Sequence, residues 1–234
     1  MKKWILFTAL SVLLFSCEKE KQECPGSTEK TFNQVDFSRI TAGETFKVNI
    51  VKGTNFSIKA TGCANDLADL QLTIGNGETL DIHYNKFKHN RYRVDFTITM
   101  PTLVSIIASG ASDFTIDGFG GQPSVLRTVL SGTAVCKLNG TGINSAFDLS
   151  GTSKLTVTGE TLSFYGTASG DSRVYGYGLN ANEVDIVVSG TSKAWVSPLQ
   201  TIYVMGSGDS RIYYKGNPAD KHFILSGTSQ VIKE

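Results

Sequence analysis

Apolar and polar residues alternate strictly through much of this chain. The stretches Phe46–Ile50, Phe56–Ala60, Leu70–Ile74, Leu80–Tyr84 and Val94–Ile98 all repeat with period two. That period predicts half-buried β-strands, each with one face on a core and one in water. Gly75-Asn76-Gly77-Glu78 predicts a tight hairpin turn between the third and fourth. Lys86 to Arg93 is polar and basic and predicts a solvated hairpin tip. Pro101-Thr102 breaks the alternation and marks a junction. Ala64 to Leu72 is the one helical candidate, at one or two turns.

Beyond the junction the alternation is carried by a repeat. A Ser-Gly signature occurs seven times, beginning at Ser109, Ser131, Ser150, Ser169, Ser189, Ser207 and Ser226, at spacings of 22, 19, 19, 20, 18 and 19 residues. A period near 20 with strand-like residues between the copies predicts a solenoid in which each copy is one coil. Counting from each leading serine, position +5 reads Phe114, Cys136, Leu155, Val174, Ala194, Ile212 and Val231, all apolar. Position +7 is inward until Lys233, and position −3 adds Phe147, Ile186, Val204 and Phe223. Two inward-facing strands therefore flank each corner. The glycine supplies a backbone conformation that other residues resist, and the small serines satisfy groups freed at the bend. These columns predict an all-β fold, a right-handed parallel β-helix of about seven coils over 105–234. Residues 35–104 form a strand-rich section that caps it. Coils about 4.8 Å apart give a rod of roughly 30 Å. Two or three strands per coil fit equally.

The first residues carry an address. Lys2 and Lys3 precede the apolar run Trp4–Phe15, which is too short to span a bilayer; residues 1–16 read as a signal peptide. Leu13-Leu14-Phe15-Ser16-Cys17 resembles the lipobox of bacterial lipoproteins, which makes Cys17 the lipidated residue and the membrane a partner through that anchor. Residues 17–34 read as a tether. Its acidic start, Glu18 to Glu23, resembles surface-export signals of Bacteroidetes-type lipoproteins, so the address is the outer membrane, with its inner or outer face left open. Net charge is +1, which excludes a nucleic-acid-type electrostatic footprint. Twenty-four glycines against five prolines suit an ordered chain with many tight turns. With Cys17 lipidated, Cys24, Cys63 and Cys136 remain. An odd count is not a disulfide framework. Cys136 sits in the inward column as a buried thiol, and whether Cys24 and Cys63 pair stays open.

The Ser-Gly-(Thr/Asp)-Ser ladder, the strand-rich section before it and the lipoprotein start together resemble one family, the putative autotransporter adhesin, head GIN domain family of Bacteroidetes. Its triplet stands here as Gly142-Ile143-Asn144, while later coils depart from it with Glu160-Thr161-Leu162 and Gly178-Leu179-Asn180. The resemblance runs from about Val35 to Lys233. It implies a single-stranded right-handed β-helix and an envelope location, and carries over no catalytic residue.

Function is expected on the outward columns. Position +6 puts Tyr175, Trp195 and Tyr213 in one stripe, and position +4 puts Lys154, Arg173, Lys193 and Arg211 beside it. Aromatic faces next to hydrogen-bonding cations suit a glycan or a flat protein partner. The competing reading is a self-stacking ladder on a structural lipoprotein, with the cations keeping the surface soluble. Like charges one strand apart repel, and Asp171 and Asp209, two residues before Arg173 and Arg211, are placed to relieve this. Those aspartates lie two coils apart, about 10 Å, too far to share a calcium ion. Outward carboxylates are scattered singly and no serine has a histidine partner in its coil, so neither a polysaccharide-cleaving nor a serine-nucleophile site is expected. No cofactor or metal site is expected, and oligomers are left open.

Overall fold

The computed structural model describes residues 23–122 and 125–234; the expected signal peptide, residues 1–16, and Cys17 lie outside the described residues. The alternating stretches become strands at the expected places. In chain order these are β1 (Ser27–Phe32), β2 (Arg39–Ala42), β3 (Lys47–Lys52), β4 (Ser57–Cys63), the short helix α1 (Ala64–Asp69), β5 (Leu70–Gly75), β6 (Thr79–Tyr84) and β7 (Asp95–Met100). The expected hairpin joins β5 to β6, with Gly77 and Glu78 both at positive φ. β1 falls inside the stretch expected as tether. It pairs antiparallel with β4 and is held at its start by a Cys24–Cys63 disulfide.

The repeats form β8 (Ser105–Ala108), β9 (Asp113–Asp117), β10 (Val125–Leu130), β11 (Val135–Asn139), β12 (Asn144–Leu149), β13 (Lys154–Ala168), β14 (Arg173–Val188), β15 (Lys193–Gly206), β16 (Arg211–Tyr214), β17 (Asp220–Leu225) and β18 (Gln230–Lys233). All pair in parallel, coil on coil. The outer coils have two strands, before and after the corner. In β13, β14 and β15 strand pairing continues round the opposite bend, with register shifts near Thr156, Gly176 and Ala181. Phe114, Cys136, Leu155, Val174, Ala194 and Ile212 are buried as their column requires, and burial pushes the Cys136 thiol pKa up.

The corners explain the repeat. All seven glycines have φ between +64° and +78°. From the second corner on, the residue after the glycine donates its N–H to the glycine carbonyl of the corner below, each time at 2.8 Å. Where that residue is threonine its hydroxyl donates to the same carbonyl, as Thr133, Thr152, Thr191 and Thr228 do at 3.1 to 3.3 Å. The serines at +3 point inward. Ser172 and Ser192 lie 3.2 Å apart, oxygen to oxygen, and the Ser172 N–H donates to the Ser192 hydroxyl.

An eighth corner is concealed in the N-terminal section. Ala111 donates to the Glu44 carbonyl and Asp113 to that of Phe46, as Thr133 and Val135 donate to Gly110 and Ser112. Glu44, at φ +60°, holds the glycine position, and buried Phe46 holds that of the inward serine. β2 and β3 are thus a full coil between β6/β7 and β8/β9. The chain lays this coil down, builds the cap beyond it, and returns past it to begin β8. Lys86 to Arg93 is consequently not a hairpin tip. β6 and β7 lie on different faces, and this loop is the corner of the cap coil. Nor is it wholly solvated: Arg91 is buried, bonded to Asp66 at 3.0 Å and Asp69 at 3.1 Å, with its guanidinium 3.6 Å from the Tyr84 ring centroid. Lys88, at 2.6 Å, is the main cause holding the Asp69 carboxyl below its ordinary range, against burial, with Arg91 adding to it. A basic pattern did not disclose this because the paired acids sit on α1, some 25 residues earlier.

Two outcomes test this architecture. A Cβ on Gly190 would stand 2.5 Å from the Gly170 carbonyl oxygen at φ +70°. Gly190→Ala should therefore cost at least about 2 kcal/mol in denaturant unfolding, from left-handed strain and displaced backbone together. The disulfide joins residues 39 apart in sequence. Replacing both of its cysteines with serine should cost about 2–4 kcal/mol, read the same way.

Candidate functional site

The face after the corners carries both predicted stripes in register. Tyr175, Trp195 and Tyr213 are successive neighbours coil by coil, as are Lys154, Arg173, Lys193 and Arg211. The aromatic rings stack on one another. Tyr175 and Trp195 have centroids 4.9 Å apart at 11°, and Trp195 and Tyr213 are 5.4 Å apart at 8°. Both faces of Trp195 are therefore covered, and the stripe offers mostly ring edges to solvent. The residue types were legible from the columns. Which faces stay open was not, because it depends on side-chain stacking between coils.

One face does stay open. Below Tyr175 the in-register neighbour is Thr156, too small to cover a ring. Gly178 adds no bulk beside it. The result is a cleft of about 320 Å³, lined by Thr156, Val157, Thr158, Tyr177, Gly178 and the Tyr175–Trp195 pair. Its wall is fixed: the Tyr177 hydroxyl donates to Glu234 Oε2 at 2.7 Å, and Lys215 Nζ sits 4.3 Å from the Tyr177 ring centroid.

The basic stripe solves its own repulsion. Arg173 pairs with Asp171 at 3.4 Å and Arg211 with Asp209 at 3.3 Å. The alternation in the signature now has a reason. Corners with aspartate at +2 carry arginine at +4, whereas the threonine corners at Ser150 and Ser189 carry Lys154 and Lys193. Among the described residues those two lysines have no ion pair, and they stand two coils apart, about 10 Å. At that spacing, beside ordinary salt, they repel little.

The bend opposite the corners holds a feature that the sequence reading passed over. A groove of about 800 Å³ runs across the coils there, floored by Gly120, Gly140 and Gly159. Ile143 of the family triplet, Leu162 and Leu199 stand exposed along it, with Glu160, Asn180 and Asn182 as its polar groups. A signal was available: Ile143 and Leu162 are apolar residues at a bend where polar ones are usual. A smaller cleft of about 270 Å³ with Glu183 and Asp185 adjoins it on the far face. The open face of Tyr175, the groove and this acidic cleft lie in sequence round the bend of the middle coils. Among the described residues no three His, Cys, Asp or Glu side chains converge as a metal site would require.

Comparison with known proteins agrees with this architecture. Residues 36–218 match the family described as putative auto-transporter adhesin, head GIN domain. A putative adhesin from Bacteroides fragilis is similar over 90% of this chain and 98% of its own, at 20% identity and a TM-score of 0.80. A putative adhesin from Parabacteroides merdae covers 90% and 97%, at 15% identity and 0.67. A protein from Parabacteroides distasonis described as a putative lipid binding protein covers 90% and 97%, at 14% identity and 0.63. At these identities the likeness is one of fold. No curated protein matches the chain.

If the rings are a structural ladder, Trp195→Ala removes two stacked pairs and should lower stability by about 1–3 kcal/mol beyond the loss of buried area. Thermal or denaturant unfolding of the variant measures it.

Proposed function

The chain belongs to the putative auto-transporter adhesin, head GIN domain family, and on that premise we propose that it is a non-catalytic binding module of the cell envelope, anchored by lipid at Cys17 on the outer membrane. Its ligand is a glycan seated against the open face of Tyr175. The observation that carries this reading is that one aromatic face is left uncovered at the end of an otherwise closed stack. A pyranose ring packs on such a face through its apolar side, while Lys154 and Arg173 beside it supply donors to hydroxyl or carboxylate groups. An acidic glycan fits the unpaired lysines best. Trp195 holds Tyr175 in place and adds its edge to the cleft, while Tyr213 backs Trp195.

The Cys24–Cys63 disulfide supports the address, because such bonds persist in oxidising compartments. The family and the fold support a binding role without naming the ligand. The name of the Parabacteroides distasonis relative points to lipid instead, but the cleft under Tyr175 is shallow and open, a better match to a ring than to an acyl chain. A second reading, a structural lipoprotein with no small ligand, is favoured by the stacking of the three rings on one another.

A glycan array separates the two. The wild-type protein should bind acidic glycans, with binding that weakens as salt rises. Tyr175→Ala should lose about tenfold or more in affinity, or about 1.4 kcal/mol. An empty array, or a Tyr175→Ala protein that binds as well as wild type, would establish the structural reading.

A further inference from the structure

We propose that the cap loop Lys86–Arg93 is where the rod stands on its membrane, with Phe87 seated among the lipid headgroups. The inference rests on the lipid anchor read at Cys17. The Ser-Gly corners of the coils above are built from small residues. The corner of the cap coil instead carries Phe87 and Tyr92 among Lys86, Lys88, His89 and Arg93. Both aromatic side chains are exposed, and Phe87, at 84%, is the barest large apolar side chain among the described residues. A bilayer interface takes up rings interleaved with cations, the ring at headgroup level and the cations on the phosphates.

The tip is bare, yet its base is held firmly. The Phe87 ring meets His89 edge-on, with centroids 4.8 Å apart. Asp66 accepts from Arg91 at 3.0 Å and from the Tyr92 N–H at 2.9 Å. The Asn85 N–H donates to the Asp69 carbonyl at 2.9 Å, and Arg91 also donates to the Lys86 carbonyl. Both ends of the loop are thus tied to α1, and the tip between them has little ordering left to lose on contact. Arg91 is committed to the two aspartates of α1, and Arg93 pairs with Asp95 at 3.5 Å and Asp113 at 3.3 Å. Lys86 and His89 stay exposed at the tip, so the ring leads the contact and charge tunes it.

The loop and the tether share one end of the rod. Cys24 is bonded to Cys63, the residue before α1, and the loop grips Asp66 and Asp69 further along the same helix. α1 has six residues, about 9 Å of helix. Cys17 lies seven residues before Cys24, so the lipid is at most about 25 Å from that bond. A tether alone leaves the rod free to tumble. A second contact beside it fixes the pose, with the cap down and the solenoid axis pointing away from the bilayer. Tyr175 then stands five strand spacings above β7, about 24 Å.

Tryptophan fluorescence of the lipidated protein in vesicles tests this. Outside the expected signal peptide the chain has one tryptophan, Trp195, in the middle coils. Phe87→Trp keeps an aromatic ring at the tip and makes it visible. Leu162→Trp puts an exposed ring at the bend of the middle coils. The vesicles are phosphatidylethanolamine and phosphatidylglycerol with brominated acyl chains, which quench only rings that reach the bilayer. Quenching of Phe87→Trp should exceed that of wild type and of Leu162→Trp several-fold. Quenching no greater than in wild type, or equal in Leu162→Trp, would overturn the proposal. The anchor is judged separately, by the mass of the purified protein. If Cys17 carries no lipid, that reading fails, and the same variants are coupled through the Cys17 thiol to maleimide-bearing vesicles, where the same comparison decides on the loop. The other thiols do not compete, since Cys24 and Cys63 are bonded and Cys136 is buried.

Discussion

The corner glycine is the constraint on which the rest depends. Each glycine must adopt a left-handed backbone, and each must also let the carbonyl of the corner below approach to where a Cβ would be, 2.5 to 2.9 Å away from the second corner on. Either demand alone favours glycine; the two together leave almost no alternative. The reward is a hydrogen bond of constant length at every corner, and this fixes the register of both flanking strands. Once register is fixed, inward columns fall on inward columns and the core follows. Glu44 holds the position at the start of the stack only because its own carbonyl is approached from above, with no glycine corner beneath it.

The sequence disclosed whatever is periodic. The seven corners, the inward columns and the pairing of aspartate with arginine across two residues all follow from counting, because a parallel stack converts sequence period into spatial adjacency. The five alternating strands of the N-terminal section were legible for the same reason, at period two. What was not legible departs from the period. The coil at Gly43-Glu44 has glutamate for glycine and phenylalanine for serine, so it shares the geometry but not the signature. Arg91 is buried by acids on a helix far away in sequence. The outward columns put the aromatic and basic residues on one face, yet could not show that the three rings stack on one another. Outwardness is a property of one strand, whereas accessibility is a property of neighbours.

The same contrast bears on where function lies. The corner side of the rod is under strict geometric demand, coil after coil, and tolerates little change. The bend side is not. There the spacing between signatures varies from 18 to 22 residues, the register shifts, and the family triplet gives way to other residues in later coils. Departures from regularity create concavity: the missing bulk at Gly178 opens the cleft under Tyr175, and Gly120, Gly140 and Gly159 line the neighbouring groove. A flat stacked sheet offers a ligand little to enclose. Concavity is therefore found where the repeat fails, as it does at the bend of the middle coils.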